Sequence, residues 1–406
     1  MRSTVLFIGM VFKSEDESFV IGNERGQPQI AANKLGWAFI HGLRTALNRR
    51  VDVVSVLMVS RFPIFKKLFI RRKGFADEFG SFRYATYWNF PFIKRFFILC
   101  SISSAVMGWL RTHSGRKTMF VYSVYLPTML PALVLGRFWG AKVILIVPDL
   151  PEHMQPGVRF RFYIQFLRNL NSMLCYLTTR LATGFVFLTA AMSQRVEVFG
   201  RPWLVVEGCT ENQIDLQAEA GSSSPGGGKT IFYSGSLNRA YGIGLLLDAF
   251  GQIPDDKLQL RICGRGDFQR EVETRARKDS RIEYLGVLPN AKVVSLQRSA
   301  TLLINPRPSA DEFTLYSFPS KILEYMSSAR PVICCRLPGI PEEYWKHLIS
   351  IDDETVAGFV QAITSALSKS DAELDEIGGN GYKFVTENKS PEVQMARVAS
   401  KFDLVP

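Results

Sequence analysis

Short, continuous apolar runs alternate with amphipathic stretches along nearly the whole chain, and this alternation limits the fold more than any other feature. VLFIGMV, VDVVSVLMV, MFVYSVY, KVILIV, GFVFLT and WLVVEG lack a polar/apolar alternation of their own, as strands covered on both faces require. Between them lie helical stretches such as QIAANKLGWAFIHGLRTALNRR, LPALVLGRFWG and AAMSQRVEVFG, while Lys13 to Gly26 reads as a long polar loop. Strand–helix–strand repetition of this kind builds a parallel sheet through helical crossovers.

Residues 217–228, QAEAGSSSPGGG, are small, polar and rich in Gly, Ser and Pro, and read as a linker. A second alternation starts at once with KTIFYSG, GIGLLLDAFGQI, KLQLRICG, DFQREVETRARKD and RIEYLG. It continues through NAKVVSLQRS, TLLINP, PSKILEYMSSA and PVICC. The predicted organisation is an N-terminal domain over 1–216, the linker, and a C-terminal domain over 229–385. A closing helix within 386–406 is placed to pack back on the N-terminal domain. A chain of 406 residues suits two such domains. Two doubly wound α/β sheets joined this way are expected to face a cleft, with ligands at the carboxyl ends of the strands.

Charge is divided unevenly. Residues 1–200 hold 26 Lys and Arg against 10 Asp and Glu, whereas the remainder holds 23 against 27, so the net charge of +12 belongs to the first half. An anionic partner follows. RFPIFKKLFIRRKGF, residues 61–75, places six cations among four phenylalanines on a helix or tight loop, and WNFPFIKRFF, residues 88–97, repeats the mixture. That combination suits an anionic membrane surface; no nucleic-acid-binding motif is present. Phe96 to Leu110 is uncharged but shorter than the roughly 20 residues a span needs. Met119 to Gly136 is interrupted by Pro127 and Pro131, and reads as a strand followed by a helix. The six cysteines form no CxxC pair, as expected of buried thiols in a reducing compartment. The expected location is cytoplasmic, peripheral to the inner face of the plasma membrane.

The stretch INPRPSADEFTLYSFPSKILEYMSSARPVI, residues 304–333, is the richest in polar chemistry. A strand ends at Pro306, and a helix is expected to start near Ser317 to Ser320, with Ser317 as N-cap and Pro319 in the first turn. A helix start offers unpaired N–H groups to an anion, and Lys321 in that turn suits a bound anion better than the helix itself. Glu324, one turn on, is placed to accept two vicinal hydroxyls. The plain alternative is an amphipathic helix burying Ile322, Leu323 and Met326. Asp149 ends the strand KVILIV and can position or deprotonate a hydroxyl, or merely cap a helix. His41 and His153 are candidates for the same task, although His41 in FIHGL equally suits a core or interdomain place.

These residues carry a resemblance. FPSKILEYMSSARPVI, preceded by YSGSLNRAYGIGLLLDAF, LRICGRGD and IEYLGVLP, resembles the C-terminal half of the family-four retaining glycosyltransferases of GT-B fold. Bacterial exopolysaccharide, capsule and O-antigen enzymes are similar. The likeness covers residues 229–400 and is weaker in the first half, where QIAANKLGWAFIHGL, VPDLPE and VVEG carry it. It implies two Rossmann-like domains facing a cleft. A nucleotide diphosphate sugar would be held by the C-terminal domain and a saccharide acceptor, lipid-linked, by the N-terminal one. Glu324 then matches the second glutamate of an E-x7-E pattern that holds the ribose. Pro319, Ser320 and Lys321 match its phosphate-facing helix start. Gly235 matches the glycine closing the first strand of the donor domain, and Gly264 and Gly266 match the loop beside the nucleobase.

Three departures qualify the resemblance. The first glutamate of the pattern falls on Tyr316, with Glu312 nearby as a substitute. The Arg and Lys that commonly follow the strand glycine are replaced by Ser236 and, near the second place, Tyr241. Arg239 and Arg307 are then the nearest cations for a departing diphosphate, and Arg307 in NPRP is the stronger candidate. No D-x-D stands at a strand end, and neither a metal nor another cofactor is expected, since GT-B enzymes rely on cations and helix dipoles. A GT-B nucleotide-sugar epimerase and a non-catalytic, membrane-associated nucleotide-sugar-binding protein remain as alternatives.

Overall fold

In the computed structural model, which describes residues 3–26, 29–91, 93–152, 162–210 and 228–405, each series of apolar strands forms a sheet. The chain divides into two units, one comprising Met1–Cys209 with Pro391–Pro406 and the other Thr210–Ser390. The linker 217–228 lies outside the described residues except for Gly228, and His153 lies outside them as well.

The strands of the first unit are β1 (Ser3–Gly9), β2 (Val51–Ser55), β3 (Phe69–Ile70), β4 (Phe75–Asp77), β5 (Gly80–Tyr84), β6 (Tyr87–Trp88), β7 (Arg116–Tyr122), β8 (Lys142–Val147), β9 (Gly184–Phe187) and β10 (Trp203–Val205). Eight of them form one sheet in the order β10-β9-β8-β7-β1-β2-β5-β4, and β3 pairs with β6 apart from it. Every pairing in the large sheet is parallel except β4 with β5. The long uncharged runs resolve as the helix Lys94–Thr112, then β7 followed by the helix Leu126–Phe138. Among the described residues no helix is long and apolar enough to cross a membrane.

Two segments differ from expectation. Lys13 to Gly26 is not a loop throughout, because Ser14–Asn23 is helical. Glu15, Asp16 and Glu17 fill its first turn, where carboxylates oppose the helix dipole favourably. Buried Asp16 also pairs with Arg72 and accepts from the Tyr84 hydroxyl at 2.6 Å, partners too distant in sequence to be foreseen. Residues 61–75 form no helix; they run through a short turn into β3 and β4, and the β4–β5 hairpin went unforeseen.

The C-terminal helix Pro391–Lys401 joins the first unit. Its Met395 and Val398 share a core with Phe39 and Leu43 of the helix Ile30–Leu47 and with Phe402. Buried Gln394 donates to the Glu207 carboxylate and to the Gly208 carbonyl, both at 3.3 Å. The two helices approach so closely at Gly42 that a Cβ there would overlap the Pro391 carbonyl oxygen.

The second unit is a parallel sheet of β11 (Thr230–Ser234), β12 (Gln259–Cys263), β13 (Ile282–Tyr284), β14 (Leu302–Asn305), β15 (Val332–Cys335) and β16 (Ile349–Ile351). Its order is β13-β12-β11-β14-β15-β16. The chain runs outward from β11 to β13 and then crosses back to β14, so the winding reverses between β11 and β14. Ligands bind at such a reversal because the loops leaving the two strands diverge there.

Gly42→Ala sets helix propensity against packing. Alanine gains about 1 kcal/mol in a helix interior, but overpacking typically costs 1–3 kcal/mol. The helix contact here is backbone, which cannot rotate aside. We expect a net loss of about 1–2 kcal/mol in chemical denaturation; an unchanged or raised midpoint would contradict this packing.

Candidate active site

Three loops meet at the carboxyl end of β11. Gly264, with φ of 143°, follows β12 and lies so near Gly235 that a Cβ would overlap the Gly235 carbonyl oxygen. Gly266 stands in the same relation to the Leu237 carbonyl. Gly242, with φ of 74°, stands so against the Pro306 carbonyl after β14. Hydrogen bonds from Gly235 N to Cys263 O (3.0 Å) and Leu237 N to Arg265 O (2.9 Å) fasten the first two loops. Gly264 and Gly266 were assigned to a nucleobase, but the structure gives them a packing reason first: only glycine lets these backbones touch.

Arg307 leaves the end of β14 and is only 9% exposed. Its guanidinium lies 4.0 Å from the centroid of the Phe313 ring and 5.0 Å from that of Tyr241. Among the described residues it forms no ion pair, and its Nε has no hydrogen-bond partner. Burial lowers its pKa, while Tyr241 and Asp311 act in the opposite direction. A buried cation without a carboxylate is costly, and the two rings offset only part of that cost. Tyr241 stands near the place where the resemblance leads one to expect a lysine, and its ring instead holds the arginine.

On the adjoining side the helix is shorter and later than expected. It spans Lys321–Met326 with Ser320 as N-cap, and the Ser320 side chain makes no capping hydrogen bond. Ser317 is extended, and the loop before it contains a 3-10 turn, Glu312–Tyr316. Lys321 Nζ donates to both oxygens of Glu324, at 2.8 and 2.7 Å. Gln297 Nε2 reaches Glu324 Oε1 at 2.6 Å and Ser234 Oγ at 3.1 Å. The two charged residues proposed to meet ligand therefore meet each other. Both are about a third exposed, and such pairs are worth ~0–1 kcal/mol, so an entering ligand can exchange them readily.

Tyr325 locks this helix onto β11. Its buried hydroxyl accepts from Ser234 N at 2.8 Å and donates to Ser234 O at 2.9 Å. Burial raises its pKa, keeping the hydroxyl neutral and able to do both. Arg239 is exposed, with its guanidinium 4.9 Å from the Phe268 ring centroid and its backbone N–H on Asp267 at 2.9 Å. Glu312 is exposed at the start of its turn, next to Phe313. Gly235, Arg239, Gly264, Gly266, Arg307, Glu312, Ser320, Lys321 and Glu324 thus all belong to the second unit. Gln297, Tyr325 and Phe313 are not evident from the sequence, and Tyr241, evident only as a departure, gains its role from a contact with Arg307 across 66 residues.

Asp149 belongs to the first unit, exposed just beyond the end of β8. Three residues on, Glu152 accepts from Tyr176 OH at 2.6 Å and Arg195 Nε at 2.8 Å. Burial pushes its pKa up, but these hydrogen bonds outweigh burial and hold it below the ordinary value. A cavity of about 550 Å³ opens here, bounded by Glu152, Asn169, Met173, Tyr176 and Arg195. His41 is exposed on its helix beside Trp37, not in a core. Among the described residues no group of three or more His, Cys, Asp or Glu is placed to hold a metal ion.

Residues 228–369 match the family model described as Glycosyl transferases group 1. The second unit therefore carries a group 1 glycosyltransferase domain, and the fold of the chain is that of the GT-B structures. Among solved structures the chain is similar to α,α-trehalose-phosphate synthase (UDP-forming) from Burkholderia vietnamiensis, with TM-score 0.69, 9% identity and 99% of each chain covered. It is also similar to sucrose-phosphate synthase from Thermosynechococcus elongatus, with TM-score 0.64, 16% identity and 99% of each chain covered. A third, Anabaena HepE in complex with UDP, has TM-score 0.60 and 12% identity, over 99% of this chain and 100% of that one. No curated protein sequence matches the chain significantly.

Tyr325→Phe should lower stability by about 1–3 kcal/mol, since buried backbone groups of Ser234 lose their partner. Chemical denaturation measures this, and a loss below a few tenths would show that the helix is anchored otherwise.

Proposed function

We propose that the chain is a retaining hexosyltransferase. It takes a sugar from a nucleotide diphosphate donor on the second unit and gives it to a saccharide acceptor, lipid-linked, in surface polysaccharide synthesis. It works in the cytoplasm, peripheral to the inner face of the plasma membrane. The observation that carries this reading is Arg307: a buried guanidinium, walled by two rings and without an ion-pair partner among the described residues, at the reversal of a parallel sheet. Such a charge is best satisfied by an anion that arrives from outside. A departing nucleoside diphosphate is that anion, and HepE was solved with UDP.

The C1–oxygen bond of the donor breaks and its electron pair leaves on the diphosphate. Arg307 and Lys321 neutralise the charge that develops, so no metal is invoked. Glu324, released from Lys321, accepts the ribose hydroxyls, and Glu312 takes the place near the sugar that Tyr316 leaves vacant. The glycine loops and Ser320 border the nucleotide, with Arg239 at their edge. The acceptor oxygen bonds to C1, and Asp149 receives its proton. The cavity beside Glu152 and Tyr176, which joins charged groups to apolar ones, is assigned to the acceptor saccharide. Retention follows from the resemblance to the family-four enzymes.

Thermal shift and turnover with UDP, GDP, ADP and dTDP or their sugars test this directly. One nucleotide should stabilise the wild type, and Glu324→Ala should weaken it about tenfold or more, ~1.4 kcal/mol. Arg307→Ala and Lys321→Ala should each lower turnover by at least about tenfold without unfolding the protein. Arg307→Lys should also fail to restore turnover, because an ammonium cannot stack between Tyr241 and Phe313 as a planar guanidinium does. Near-normal turnover in both alanine variants would overturn the diphosphate site. Binding without turnover would favour the non-catalytic alternative.

A further inference from the structure

The helix Phe162–Thr179 carries its apolar face outward. At 3.6 residues per turn, Phe166, Leu167, Leu170, Met173, Leu174 and Leu177 fall within an arc of about 120°. All six are between 39% and 61% exposed. The face turned to the protein is more polar. Cys175 and Thr179 are buried, Arg168 and Ser172 are partly buried, and Cys175 Sγ approaches the Val124 carbonyl at 3.6 Å. A helix facing water shows the opposite arrangement, and a contiguous apolar patch of this kind marks an interface.

Further apolar groups adjoin it. Arg95 Nη1 donates to Asn171 Oδ1 at 3.1 Å, which ties the middle of this helix to the start of the helix Lys94–Thr112. Phe96 and Ile93 are exposed there. The β3–β6 pair packs on that second helix through β6 and exposes Phe69 and Trp88, whose ring centroids are 5.0 Å apart.

Charge decides what covers this surface. Residues 79–196 contain 13 Lys and Arg but only two acidic residues, Asp149 and Glu152, and the helix Phe162–Thr179 contains none. A symmetric contact with a second copy would bring this basic segment against itself, since an isologous interface uses the same patch twice. An anionic bilayer supplies both an apolar boundary and negative headgroups.

We propose that the helix Phe162–Thr179 docks the protein on an anionic phospholipid bilayer. It lies in the plane of the interface, with Phe166, Leu167, Leu170 and Leu174 among the acyl chains and Arg95 at the headgroups, while Met173 and Leu177 border the cavity beside Glu152. This rests on the reading of a membrane-borne acceptor, and it adds the element that makes the contact.

Sedimentation with vesicles of phosphatidylcholine, alone or with about one-third phosphatidylglycerol, tests it using the full chain. Wild type should bind the anionic vesicles, less at high salt, and bind neutral ones weakly. The double variant Leu170→Gln, Leu174→Gln should lose about tenfold in partition, because two apolar anchors are removed from the helix face. Both substitutions are on exposed positions, so the thermal midpoint should remain within a few degrees of wild type. Undiminished vesicle binding by the double variant would overturn the proposal. So would a wild type that ignores vesicles but forms a dimer, seen by light scattering, that the double variant abolishes. Nucleotide binding, measured by calorimetry on both proteins, reports on the second unit separately. Its failure would count against the donor site, and vesicle binding would still decide the docking helix.

Discussion

The second unit depends on backbones that touch where side chains would keep them apart. Gly264 against Gly235, Gly266 against Leu237 and Gly242 against Pro306 draw the loops after β12, β11 and β14 into one cluster. A side chain at any of these glycines would separate two of the loops. That cluster sets where Tyr241 and Arg307 stand, and hence where a positive charge can be buried at the reversal of the sheet. The site is made from loop packing first and from charged groups second.

Electrostatics is handled differently at the two cations. Lys321 is about a third exposed and paired with Glu324, so its charge is already satisfied and its contribution to stability is small. Arg307 is buried against two ring faces and, among the described residues, forms no ion pair. Rings attract a guanidinium without neutralising it, so the field of Arg307 remains available to an entering anion. An arginine suits this place because it stays protonated even when burial lowers its pKa.

The first unit has another physical character. Its sheet is closed by the C-terminal helix, whose Met395, Val398 and Phe402 complete the core. Its surface is basic through a long stretch and carries exposed rings and leucines on one helix and one hairpin. The unit that holds the buried arginine is the slightly acidic one. The basic, apolar-rich surface and the buried arginine thus belong to different units.

Much of the architecture was legible because strands covered on both faces must be apolar throughout, and that pattern is local. The two series of strands and their parallel connection followed from it, while the resemblance of residues 229–400 rested on motifs such as FPSKILEYMSSARPVI and LRICGRGD. The candidate residues Arg307, Lys321 and Glu324 were legible as charges at strand and helix ends. Their partners were not. Asp16 of the helix Ser14–Asn23 meets Arg72 and Tyr84, and Glu324 meets Gln297 and Lys321 instead of standing free. The outward face of Phe162–Thr179 was equally hidden, because periodicity shows that a helix has an apolar side but not which way it turns. The sequence by itself determined where the apolar strands of the two parallel sheets run and which half carries the positive charge. Only the tertiary structure decided which charges are buried and unpaired and which apolar face is left uncovered, since both depend on contacts between segments far apart in the chain.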